Sequence, residues 1–120
     1  MDFSNDTPIY IQIMNLIKSE IVSGKIVKGE KLMSTRELAI ELQVNPNTVM
    51  RVFKELENEE LCFTKRGMGT YVTEDDEKIS ELKQQLATEK IEQFLEGMKS
   101  LNFSIHEIIE KLRNYEEAVK

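Results

Sequence analysis

Between Leu42 and Asn47 the chain has room for a tight turn and nothing more. Gln43-Val44-Asn45-Pro46 separates two short amphipathic stretches, and this spacing constrains the fold more than any other feature. Before the break, Ser34-Thr35-Arg36-Glu37 has the form of a capping box, in which a serine oxygen and a glutamate three residues on serve each other's backbone N–H. It predicts a helix from Thr35 to Leu42 with Leu38, Ala39 and Leu42 turned inward. After the break, Asn45 is a good N-cap and Pro46 suits the first helical position, where its missing N–H does no harm. Val49, Val52, Phe53 and Leu56 then recur at helical spacing as one buried stripe. Asn47, Met50, Arg51 and Lys54 occupy the opposite face. Two short helices joined in this way predict a helix-turn-helix, whose second helix enters the major groove of DNA.

The flanking segments complete a larger pattern. Thr7-Pro8 predicts an N-cap and first helical residue for a helix over about 8–23, with Gly24 as its C-cap. Lys28-Gly29-Glu30-Lys31 reads as a turn, and Leu32-Met33 as a short strand. Leu61–Lys65 and Thr70–Thr73 alternate as strands do, around a glycine-containing turn at Arg66-Gly67-Met68-Gly69. Three helices and a terminal hairpin make a winged helix, with Lys65 and Arg66 at the wing tip.

These motifs carry a family resemblance. Pro8-Ile9-Tyr10-Ile11-Gln12-Ile13, Gly24, Gly29, Lys31 through Ala39, Val44-Asn45-Pro46-Asn47-Thr48-Val49, Leu56-Glu57 and Arg66 through Val72 together resemble the GntR family of bacterial transcription regulators. The Asn-Pro-Asn-Thr run and the short tail resemble its YtrA-type subfamily. Two positions depart from the pattern: Met33, where the family usually shows proline, and Glu60, where a glycine commonly ends the third helix. The resemblance implies a sequence-specific DNA-binding regulator, expected to be a repressor, that controls neighbouring transporter genes.

The candidate DNA-binding residues come from both lines of reasoning. The arginine of the family's Ser-x-Arg-Glu-Leu-Ala motif contacts DNA, and Arg36 holds that place here; its bland alternative is an ion pair with Glu37 or Glu41. Asn45, Asn47 and Thr48 lie at the N-terminus of the second helix of the pair, where side chains and free N–H groups reach phosphates or base edges. Asn45 is engaged as a cap, which makes Asn47 the better reader of bases. Arg51 and Lys54 follow on the same face, and Arg51 suits either guanine or phosphate. Lys65, Arg66, Gly67 and Gly69 form the wing, where glycine lets the main chain approach closely. Lys25, Lys28 and Lys31 are lesser candidates for added charge.

From Asp75 onward, Ile79, Leu82, Leu86, Ile91, Phe94, Leu95, Met98 and Leu101 recur at mostly helical spacing. They predict a long helix over about 76–100. Ser104-Ile105-His106-Glu107 is a second capping box, opening a helix that carries Ile105, Ile108, Ile109 and Leu112. Two helices cannot enclose a core by themselves, so this apolar set is the candidate dimerisation surface. The expected architecture is therefore mainly α with a small β-hairpin: a winged helix-turn-helix domain over 1–73, then a helical hairpin over 74–120. A homodimer of this kind would read a palindromic operator in double-stranded DNA. An effector, if the chain takes one, would have to bind between helices of the dimer or between the dimer and the wing, with Met98 among the adaptable lining groups.

Charge and composition narrow the function classes. The chain carries 16 Lys/Arg and 22 Asp/Glu, a net of −6. The excess sits mainly in the tail: residues 1–73 sum to −1 and residues 74–120 to −5. For a polyanionic partner the local field matters more than the total. One cysteine and one histidine leave no disulfide, zinc site or catalytic triad to expect, so neither enzyme activity nor a cofactor is predicted. Cys62 is expected in the core, His106 at the surface, and the Glu57/Glu59/Glu60 and Glu74–Glu77 runs solvated or capping rather than metal-binding. No apolar run approaches the ~18 residues of a membrane span, and the N-terminus lacks the look of a signal peptide; a cytoplasmic protein is expected. The competing class is a winged helix used as a protein- or RNA-binding scaffold. Lys65, Arg66 and Arg51 argue against it, because a protein-docking helix would present apolar anchors.

Overall fold

Local capping chemistry sets most of the helix boundaries. The computed structural model describes residues 2–119; Met1 and Lys120, the outermost positions of the two expected domains, lie outside the described residues. In chain order the elements are α1 (Ile9–Ser23), α2 (Thr35–Leu42), α3 (Pro46–Asn58), β1 (Cys62–Lys65), β2 (Gly69–Val72), α4 (Asp76–Ser100) and α5 (Ile105–Ala118). The Ser34 hydroxyl accepts from the Glu37 N–H, and the Glu37 carboxylate accepts from the Ser34 N–H, each at 3.1 Å. These bonds to Ser34 also hold the Glu37 carboxyl below its usual pKa. Ser104 and Glu107 repeat the arrangement at the start of α5. Met33 is exposed and leaves the capping box of α2 intact.

The start of α1 differs from the sequence expectation. Pro8 is itself the N-cap, with ψ 142° outside the helical range, and Thr7 does not cap. The Gln12 side chain takes over the local bonding. Its amide donates to the Thr7 carbonyl at 2.7 Å and the Ser4 carbonyl at 2.9 Å, while its oxygen accepts from the Ser4 N–H. The expected strand at Leu32-Met33 is also displaced. Residues 29–32 run beside β2, with Lys31 bridged to Tyr71 and the Leu32 N–H donating to the Thr70 carbonyl. Met33 lies beyond this pairing because the chain must already turn into the cap of α2.

The chain divides into two compact units, Met1–Gln84 and Gln85–Lys120, and α4 begins in the first and ends in the second. In the first unit α3 is the central element: it packs against α1, α2 and β1. Its Val49, Val52, Phe53 and Leu56 are buried with Ile13, Ile17, Ile21, Leu32, Ala39, Leu61, Cys62 and Val72. The hairpin pairs Cys62 with Val72 and Lys65 with Gly69 in antiparallel register. Of the inward set expected for α2, Ala39 is buried while Leu38 and Leu42 are half-buried.

Helix α3 ends in a Schellman turn. The Leu61 N–H donates to the Leu56 carbonyl and the Glu60 N–H to the Glu57 carbonyl. This geometry needs a left-handed residue, and Glu60 supplies it at φ 61°. The family's usual glycine would sit there without strain. Glu60 also pairs with Lys78 at 2.9 Å, but its side chain is well exposed and such pairs contribute little. Glu60→Gly should therefore raise stability by about 1 kcal/mol, seen as a rise of a few degrees in Tm. An unchanged or lower Tm would show that the Lys78 pair outweighs the strain.

Candidate nucleic-acid interface

The sequence places a cap, a recognition helix and a hairpin; the fold decides which of their side chains remain free. At the start of α3 the Asn45 Oδ1 accepts from the Asn47 N–H at 2.8 Å, so Asn45 is spent on capping. Asn47, Arg51 and Lys54 are exposed along α3, with Met50 beside them, and Thr48 is half-buried. Arg36 is exposed in the first turn of α2 and forms no ion pair with Glu37 or Glu41. Lys65, Arg66 and Gly67 are exposed at the wing, where Gly67 and Gly69 have φ 78° and 122°.

The basic side chains of the first unit sort into two groups. Among the described residues Lys18 pairs with Glu59, Lys25 with Glu20, Lys28 with Asp76 and Lys78 with Glu60. Arg36, Arg51, Lys54, Lys65 and Arg66 have no such partner. The neutralised cations belong to α1, the segment after it and α4, where Lys83 also stands without an ion pair, while those of α2, α3 and the wing are all free of ion pairs. The three lesser candidates also separate. Lys25 and Lys28 are paired, whereas Lys31 has no ion-pair partner and joins the wing: a Cβ on Gly69 would lie 2.9 Å from its Cε.

Aromatic rings hold two of the free cations. The Arg51 guanidinium carbon stands 3.6 Å from the centre of the Tyr10 ring. Lys65 Nζ lies 4.7 Å from the Tyr71 ring centre and 5.7 Å from that of Phe63. Phe63 and Tyr71 are cross-strand partners whose rings stack at 5.8 Å. The strand alternation foretells that Phe63 and Lys65 share a face. No sequence signal pairs Tyr10 with Arg51, because they belong to helices that meet only in the folded core.

Cys62 lies in that core rather than at the interface. Burial, reinforced by the Glu57 carboxylate, pushes its thiol pKa from 9.0 up to about 12. The stabilising contribution is present below pH 9 and lost as pH rises toward 12, through the folded-state value. At pH 8 the folded protein should leave a thiol reagent unconsumed, and denaturant should release one reactive thiol per chain. Rapid labelling of the folded protein would contradict this placement.

The tail residues fall into separate environments. Ile79 and Leu82 belong to the first unit, and Leu82 is 3% exposed, so it offers no surface to a second copy. Asp75 opens α4 by accepting from the Glu77 and Lys78 N–H groups, as expected for an acid at a helix start. In the second unit Ile108 is buried, and Leu86, Leu95 and Met98 are half-buried. Ile91, Phe94, Leu101, Ile105, Ile109 and Leu112 are exposed. His106 is exposed as well.

Comparison with known proteins bears on this arrangement. Residues 9–72 match the family described as bacterial regulatory proteins, gntR family. The transcriptional repressor YtrA of Bacillus subtilis is 37% identical over 120 residues, which cover all of this chain and 88% of the repressor. A GntR family transcriptional regulator from Listeria monocytogenes superposes with a TM-score of 0.85 at 41% identity, over 93% of this chain and 98% of that one. The DNA-binding domain of AraR in complex with an operator matches at a TM-score of 0.56 and 26% identity, over 61% of this chain and 93% of the domain.

Proposed function

Because the chain belongs to the GntR family of DNA-binding transcription regulators, we propose that it acts as a repressor, binding an inverted-repeat operator as a homodimer. The observation that carries this reading is the sorting of charge: the unpaired basic groups of the first unit include Arg36 on α2, Arg51 and Lys54 on α3, and Lys65 and Arg66 on the wing. Asn47 reads base edges in the major groove while α2 and the wing grip phosphates. The exposed apolar residues of α4 and α5 join two copies, and the two recognition helices then meet half-sites about 34 Å apart. The similarity to YtrA extends the reading to repression, and the kinship suggests control of transporter genes in the cytoplasm.

If about four basic groups per subunit touch phosphate, a dimer neutralises roughly eight. The logarithm of the binding constant should then fall with log salt at a slope near −7. Gel retardation of the protein's own upstream region across a salt series measures this. A salt-independent shift, or none at low salt, would reject the assignment. Sedimentation at micromolar concentration should give a dimer, and a monomer there would reject the two-fold arrangement.

A further inference from the structure

The contact of Arg51 with Tyr10 is the closest cation–ring contact among the described residues, and helix packing alone does not require it. Tyr10 is half-buried in the first turn of α1, and Arg51 is exposed on α3, which packs against α1. With its central carbon 3.6 Å from the ring centre, the guanidinium is well within the ~6 Å reach of cation–π attraction. Arg51 forms no ion pair, so the ring is the partner that restrains it.

Two consequences follow. A guanidinium held by a ring spends no hydrogen bond on an acceptor, so its N–H groups stay free, and that planar fork is the shape that binds two phosphate oxygens together. An arginine already held in place also loses less side-chain freedom when DNA arrives. The direction of the hold matters as much. Tyr10 belongs to α1, so its ring draws the head of Arg51 toward the side of α3 that packs on α1, while Asn47 and Lys54 are exposed with no ring partner. Base edges lie opposite the centre of a recognition helix, and the sugar–phosphate strands lie along its flanks.

We infer that Tyr10 is a positioning residue that holds Arg51 as a preformed phosphate clamp, leaving base reading on α3 to Asn47. The inference rests on the DNA-binding reading above. It is tested with a duplex selected from a random pool by the wild-type full-length protein. Tyr10→Phe keeps the ring and should bind within twofold of wild type. Tyr10→Leu keeps apolar bulk without the ring and should bind roughly threefold to tenfold more weakly, by a similar factor on every single-base variant of the duplex. Arg51→Ala should likewise weaken all variants alike and make the salt slope shallower by about 1 per subunit. Tyr10→Leu combined with Arg51→Ala should be no weaker than Arg51→Ala alone, because the ring acts only through the arginine. Loss of fold alone would not produce that non-additivity or the rescue by phenylalanine.

Wild-type affinity in Tyr10→Leu would overturn the inference. So would an Arg51→Ala protein that changes its ranking of single-base variants while keeping the full salt slope, since that is the behaviour of a base reader. If the wild type retards no duplex at low salt, the DNA-binding reading fails first, and the inference falls with it before any variant is made.

Discussion

Phe94→Glu combined with Leu112→Glu should yield a folded monomer that has lost at least a hundredfold in affinity for an intact inverted repeat. Both side chains are exposed in the single chain, Phe94 at 43% and Leu112 at 53%, so the substitutions disturb little within one copy. In the proposed dimer they would bring four carboxylates into an apolar interface. Each unpaired buried charge costs several kcal/mol, more than such an interface can absorb. A dimer holds its second recognition helix at high effective concentration, and this commonly raises overall affinity by a factor of 10² to 10⁴. Sedimentation, far-ultraviolet circular dichroism and binding to an isolated half-site separate the contributions. The variant should sediment as a monomer, keep its helical signal and bind the half-site as the wild type does. A variant that remains a dimer would show that the second unit is not the two-fold contact.

Leu56→Ala should have the largest effect on the first unit. Leu56 is fully buried on the helix that touches α1, α2 and β1, and its carbonyl accepts the bond that closes the Schellman turn. Truncating such a leucine costs about 2–5 kcal/mol, through lost burial and the cavity left behind. For a domain of this size that is a large part of the total stability. Thermal unfolding should move down by about 10 °C or more. Lys54→Ala, on the exposed face of the same helix, should stay within about 0.5 kcal/mol of wild type. A loss below about 1 kcal/mol for Leu56→Ala would mean that α3 is not the central element of the packing.

Much of the fold was legible because its signals are local. The capping boxes at Ser34 and Ser104, and the Asn45-Pro46 start of α3, act over three residues and so appear unchanged in the structure. The buried stripe of α3 follows from helical geometry in the same way. The start of α1 lies one residue beyond the sequence expectation because a proline suits both the N-cap and the next position; Gln12, bonded to Ser4 and Thr7, accompanies the later start. The short pairing falls at residues 29–32 rather than at Leu32-Met33 because an edge pairing depends on a partner far along the chain, here β2.

By itself the sequence determined the element order, the caps of α2, α3 and α5, the turn between α2 and α3, and the family, since each depends on motifs whose residues lie within a few positions of one another. Only the tertiary structure decided which cations stay unpaired, that Tyr10 meets Arg51, that Lys31 joins the wing while Lys28 is neutralised by Asp76, and that Leu82 is buried. Those outcomes depend on groups brought together across the fold. Charge pairing and burial act through distance in space, and spacing along the chain carries no record of it.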